Sequence, residues 1–139
     1  MKYRHILTAI DGSDDSKLIL KKSKEITELN NSKSSLVTVL EPMMPQFANF
    51  VYVPKDYYNT EEIYKSFVKR GSEYGIEASE CHLLRGYPAN EINKLLKKIG
   101  CDLLVIGSHC NKGLKRLTLG STASSVLHGL KIDAHIIKV

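Results

Sequence analysis

At 139 residues, 42% hydrophobic and 25% charged, the chain sits near globular averages, which excludes disordered and fibrous classes and allows one domain spanning residues 1–139. A net charge of +5 suits an anionic ligand, but the lysines are spread over several helical segments and no RNP, KH or zinc-finger spacing is present, so no nucleic-acid partner is expected. No apolar run approaches the roughly 18 residues of a membrane span, the start MKYRHILTAI lacks a signal-peptide h-region, and three cysteines without a CxxC pair are expected to be reduced, which together make cytoplasmic residence without a membrane partner the expectation. The five histidines never fall into HxxxH spacing, so no metal site is expected.

In chain order, residues 4–10 read as a buried strand, and Asp11-Gly12-Ser13 turns and caps a helix running to about residue 29, with Ile19, Ser23 and Ile26 inward. Residues 35–40 form a second strand, followed by an apolar, proline-bearing loop over residues 41–59 with two readings: a lid packed on the body, or a ligand cover or partner surface. Thr60 caps a helix with Glu61 and Glu62 in its first turn, ending near Gly75. Residues 76–84 read as a third strand. Gly86-Tyr87-Pro88 then opens a helix in which Ile92, Leu95, Leu96 and Ile99 repeat at i, i+3, i+4 and i+7, stopped by Gly100. Residues 102–107 make the fourth strand; after a basic loop Ala123, Val126, Leu127 and Leu130 trace another inward face, and residues 134–139 form a last strand.

Strands alternating with helices predict an α/β fold, an open and mainly parallel five-stranded sheet with helices on both faces. Ligands in such sheets bind beyond the carboxyl ends of the strands, where neighbouring strands send their connections to opposite faces. A strand order of 3-2-1-4-5 sets the turns after the first and fourth strands side by side. The second of these is DLLVIGSHCNKGLKRLTLGST, residues 102–122, which has the form of a phosphate cradle: Gly107 lets backbone approach a ligand, and Gly120-Ser121-Thr122 puts N–H groups and hydroxyls where a helix begins.

Three segments, HILTAIDGSDDS at 5–16, RGYPANEI at 85–92 and the G-x-x-C-x9-G-S pattern at 107–121, together resemble the universal stress proteins over essentially the whole length. The resemblance implies a Rossmann-like, adenine-nucleotide hydrolase-type fold and an ATP site across the switch point, with Mg2+ shielding the phosphates. In that pattern Asp11 holds the ribose hydroxyls, Ala9 and Val39 wall the adenine, Ile106 and Gly107 begin the phosphate loop, and Gly120, Ser121 and Thr122 close it. One position departs: the family's second loop glycine is Cys110 here, which costs roughly 1–2 kcal/mol if a left-handed backbone is needed, or fills space a phosphate would use. With Gly107, Gly120 and Ser121 kept, binding is the expected outcome.

Simpler readings stand beside these. Asp11 could serve only as an Asx turn at a helix start, and Lys112, Lys115 and Arg116 could neutralise a triphosphate or form a solvated basic loop. His109 has no carboxylate or second histidine at a readable spacing, so no catalytic residue is assigned. The functional expectation is a nucleotide-dependent interaction module of the stress response; a slow ATPase and a scaffold that binds no nucleotide are the alternatives. The last strand is an apolar sheet edge without proline, and the resemblance implies a homodimer formed through it.

Overall fold

The apolar runs form five strands, β1 (His5–Ala9), β2 (Lys33–Leu40), β3 (Cys81–Arg85), β4 (Leu103–Gly107) and β5 (Asp133–Ile137), in the order β3-β2-β1-β4-β5 with every ladder parallel. The computed structural model describes residues 2–41, 59–108 and 120–139, apart from the side chain of Ser121. Within them run helices α1 (Asp15–Asn30), α2 (Thr60–Glu73), α3 (Pro88–Ile99) and α4 (Ser121–His128), and a single 3-10 turn, Ala78–Glu80. This is the expected α/β sheet and strand order. None of these helices is long and apolar enough to cross a membrane.

Helix ends follow local chemistry. Asn59 rather than Thr60 caps α2, accepting the Glu62 N–H at 3.3 Å, and Thr60 is the first helical residue. Pro88 opens α3, where its missing N–H costs no helical bond, and Lys97 and Lys98 in the last turn oppose the dipole before Gly100 ends the helix. The expected start of α1 is corrected: neither Asp11 nor Ser13 is the cap, because the helix begins at Asp15 with Asp14 in the cap position.

The third strand is shorter than residues 76–84. Ile76 is buried but lies outside the ladder, and pairing with β2 begins only at Leu36↔Cys81. The start of β2 is met instead by a side chain: the Ser35 hydroxyl donates to Glu80 Oε2 at 2.6 Å and Lys33 Nζ lies 2.8 Å from Glu80 Oε1. The last strand begins one residue earlier than expected and stops at Ile137, after which the Val139 N–H turns aside to donate to Ser108 Oγ at 3.1 Å.

The sheet divides the core in two. Ile6, Leu36 and Val105 pack against Ile19 and Leu20 of α1 and Phe67 of α2, whereas Leu7, Val37 and Leu104 pack against Ile92 and Leu96 of α3 and Val126 of α4. Adjacent residues of β1 thus feed opposite cores, as the two-residue period of a strand requires, and burial on both faces explains its unbroken apolar run. Leu7, Leu36 and Leu104 are fully buried, each worth about 1.5–3 kcal/mol relative to exposure.

Candidate functional site

β1 and β4 are neighbours, with Ala9 paired to Ile106, yet β1 leads into α1 on one face and β4 leads towards α4 on the other. The sheet therefore splits at their carboxyl ends, and a cavity of about 510 Å³ opens there, within the size range of small-molecule sites. Its apolar side is built by Ala9, Val37, Val39, Ile92 and Ile106, and its polar side by the β1–α1 turn, with Thr122 at the start of α4.

That turn is held by Asp11. Its Oδ1 accepts the Ser13 N–H at 2.9 Å and the Ser16 hydroxyl at 3.4 Å, an Asx turn, while Gly12 beside it takes φ 83°, a conformation that side chains resist. Oδ2 makes no hydrogen bond among the described residues, and Asp11 lines the cavity. The two readings of this residue are compatible, since only one of its oxygens fixes the turn. Arg70 of α2 braces the same turn, its guanidinium donating to the carbonyls of Gly12 and Ser13 at 3.5 and 3.3 Å.

Gly107 lines the cavity, but its want of a side chain has a nearer cause. A Cβ there would lie 2.7 Å from Ile19 Cδ1 and 3.3 Å from Val139 Cγ2, so a side chain at this position would require Ile19 of α1 to shift and Val139 to yield slightly. Gly120 differs from the expectation in one respect. Its N–H is not free, since it donates to the Ser108 carbonyl at 2.6 Å, so the donors of this helix start that have no partner among the described residues are those after it.

Six of the nine sequence-predicted residues, Ala9, Asp11, Val39, Ile106, Gly107 and Thr122, border the one cavity; Gly120 and Ser121 stand at the start of α4 beside it, and Cys110 lies outside the described residues, as do His109, Lys112, Lys115 and Arg116. Sequence reasoning missed the apolar wall from Pro88 and Ile92 and the carboxylates of Asp15 and Glu41. The i, i+4 step from Pro88 to Ile92 placed both on one helix face, but it gave no sign that this face reaches the sheet's end. Among its described lining residues the cavity carries three carboxylates and no basic side chain. No group of His, Cys, Asp and Glu among the described residues is arranged to hold a metal ion.

A sequence model of the universal stress protein family matches residues 2–138. The chain is 29% identical over 138 residues to universal stress protein A homolog 1 of Coxiella burnetii, covering 96% of this chain and 94% of that one. It is similar in fold to the universal stress protein UspA from Lactobacillus plantarum, with a TM-score of 0.76 at 18% identity over 99% of each chain. A universal stress protein solved in complex with cAMP gives a TM-score of 0.66 at 23% identity, over 99% of this chain and 98% of that one. Model, relative and fold agree over nearly the full length, and the chain belongs to the universal stress protein family.

Proposed function

We propose that the cleft binds an adenine nucleotide, ATP carrying its Mg2+, and that nucleotide occupancy sets the protein's interactions in a cytoplasmic stress response. The observation behind this reading is the pairing, in one cavity, of an apolar slot with an oriented carboxylate, one oxygen of which has no hydrogen-bond partner among the described residues. The adenine fits between Ala9 and Val39, walls of the right polarity for a flat apolar base. Asp11 Oδ2 accepts from the ribose hydroxyls, a charge-assisted bond of about 1.5–3 kcal/mol. The phosphates run from Ile106 and Gly107 towards Gly120, Ser121 and Thr122, where the start of α4 offers N–H donors and a favourable dipole. A relative's complex with cAMP supports an adenine ligand. Because the described lining supplies carboxylates but no cation, the metal travels with the phosphates, which both neutralise it and are neutralised by it.

Calorimetric titration with Mg-ATP tests the reading. Wild type should bind, Asp11→Ala should lose about tenfold to a hundredfold in affinity, and absence of wild-type binding at millimolar ligand would overturn it. If Cys110→Gly alone binds, the thiol has closed the site and the protein is a scaffold. Phosphate release followed over hours distinguishes a binder from a slow ATPase.

The same reading includes a two-fold dimer through β5. Residues 133–136 of this edge strand are exposed, Ile136 to 38%, and an apolar edge with unpaired backbone groups favours strand addition. A monomeric mass at micromolar concentration would refute it.

A further inference from the structure

At the amino ends of β1, β2 and β3, the opposite end of the sheet from the cleft, a buried polar array lies outside the nucleotide reading. His5 is 8% exposed and Ser35 fully buried. His5 Nδ1 stands 3.2 Å from the Ile99 carbonyl oxygen and Nε2 stands 2.7 Å from Ser35 Oγ. On its other side Ser35 Oγ lies 2.6 Å from Glu80 Oε2, and Glu80 Oε1 lies 2.8 Å from Lys33 Nζ. Complete burial denies Ser35 a substrate, so the array is not a nucleophile with its base.

Its protons can be counted. A carbonyl only accepts, so Nδ1 carries a hydrogen. The two contacts flanking Ser35 require two hydrogens, and a hydroxyl has one. The other sits on His5 Nε2 or on Glu80 Oε2. The Lys33 ammonium at Glu80 Oε1 favours the carboxylate there, which leaves the proton on the ring: the imidazolium donates to Ser35, and Ser35 donates to Glu80. Without it, either Nε2 and Oγ at 2.7 Å or Oγ and Oε2 at 2.6 Å face each other as two acceptors.

The surroundings agree. Burial works against the charge of Glu80, but the hydrogen bonds from Lys33 and Ser35 outweigh it and hold the carboxyl below its usual range. The other charged and titratable groups nearby are Asp102, whose carboxylate binds the Arg4 and His5 backbone N–H groups rather than the ring, Arg4 itself, Lys98 of α3, His82 and Cys81 of β3, and Cys101.

We infer that His5, Ser35 and Glu80 form a one-proton latch: a single proton closes the contacts joining β1, β2 and the turn before β3, and its loss opens them. This is independent of nucleotide binding. A folded chain holding a proton that the unfolded chain releases is favoured at low pH. One extra proton changes the folding equilibrium constant by at most about tenfold per pH unit.

Proton and nitrogen spectra of the histidine rings in the full chain, from about pH 5 to 9, give the direct test, with urea unfolding measured in parallel. The expected result is a His5 ring protonated on both nitrogens at the acid end and on Nδ1 alone at the alkaline end, with faster amide exchange in the starts of β1 and β2 above the transition. Glu80→Gln supplies the missing hydrogen from its amide, so the contacts persist without the extra proton. That variant should fold and lose the latch's share of the pH slope above pH ~5. A His5 ring unprotonated at Nε2 across the range overturns the proposal, as does a Glu80→Gln slope equal to wild type. Should Glu80→Gln not fold, the wild-type ring spectra decide alone.

Discussion

Replacing Gly107 by alanine separates packing from ligand approach at the cleft. The new methyl would sit 2.7 Å from Ile19 Cδ1 and 3.3 Å from Val139 Cγ2, closer than carbon contacts tolerate, and overpacking of this kind costs about 1–3 kcal/mol. The backbone of Gly107 has no positive φ, so strain contributes nothing and the whole cost is steric. Ile19→Val deletes the methyl in the way. Alone it should cost about 0.5–1.5 kcal/mol, as Ile19 is 4% exposed; together the two changes should cost little more than Ile19→Val alone, a coupling of about 1 kcal/mol or more. Urea denaturation midpoints for the four proteins of the cycle supply the numbers. If the two costs add to within about 0.5 kcal/mol, the packing argument is wrong and Gly107 is small for its ligand. If they couple as expected and the double variant keeps nucleotide affinity, the glycine serves the helix contact first.

Asp11→Asn should keep the Asx turn, because an amide oxygen still accepts the Ser13 N–H, while weakening nucleotide binding by removing the charge; Asp11→Ala should in addition loosen residues 11–16, read by faster amide exchange there. Cys101, pushed up to about 12 by burial and by the neighbouring carboxylates, should react with iodoacetamide at pH ~8 roughly a thousandfold more slowly in the folded protein than in urea, by mass spectrometry; equal rates would show the thiol to be accessible. Burial opposes ionisation of Asp102, yet N–H donors from Arg4 and His5 outweigh it and hold the carboxyl below its usual range. Its contribution is therefore present above the ordinary aspartate value of about 3.9 and lost as pH falls through the depressed one, so Asp102→Asn should flatten the acid limb of a stability–pH curve. On the β5 edge, Ile136→Lys should shift the mass in light scattering from dimer to monomer without altering the circular dichroism.

The fold was legible wherever one residue pattern served one contact. The spacing of Ile92, Leu95, Leu96 and Ile99 gave α3, and the runs of β1 and β4, buried on both faces, had no competing assignment. Residues 76–80 misled because Ile76 carries a strand's composition yet packs from a turn, and the reason lies over 40 residues earlier, in Lys33 and Ser35 claiming Glu80. At the cleft, glycine positions were visible and their causes were not. Gly107 borders the cleft as its place in the chain suggests, and its closeness to Ile19 of α1 is visible only in three dimensions. The bracing of the turn by Arg70 links residues 57 and 58 apart and leaves no local pattern.

The five-stranded sheet keeps its two cores from touching, and the cleft at its split edge is bordered by Ile19 from one and Ile92 from the other. A molecule seated there is a rivet through both layers. Its binding energy is then shared by two half-cores that otherwise melt together only through the sheet, so occupancy at a hundred times the dissociation constant should add about 2.7 kcal/mol to the whole molecule and protect amides of α1 and α3 in step. A protein built this way would report a molecule seated in the cleft as rigidity, legible on both faces at once.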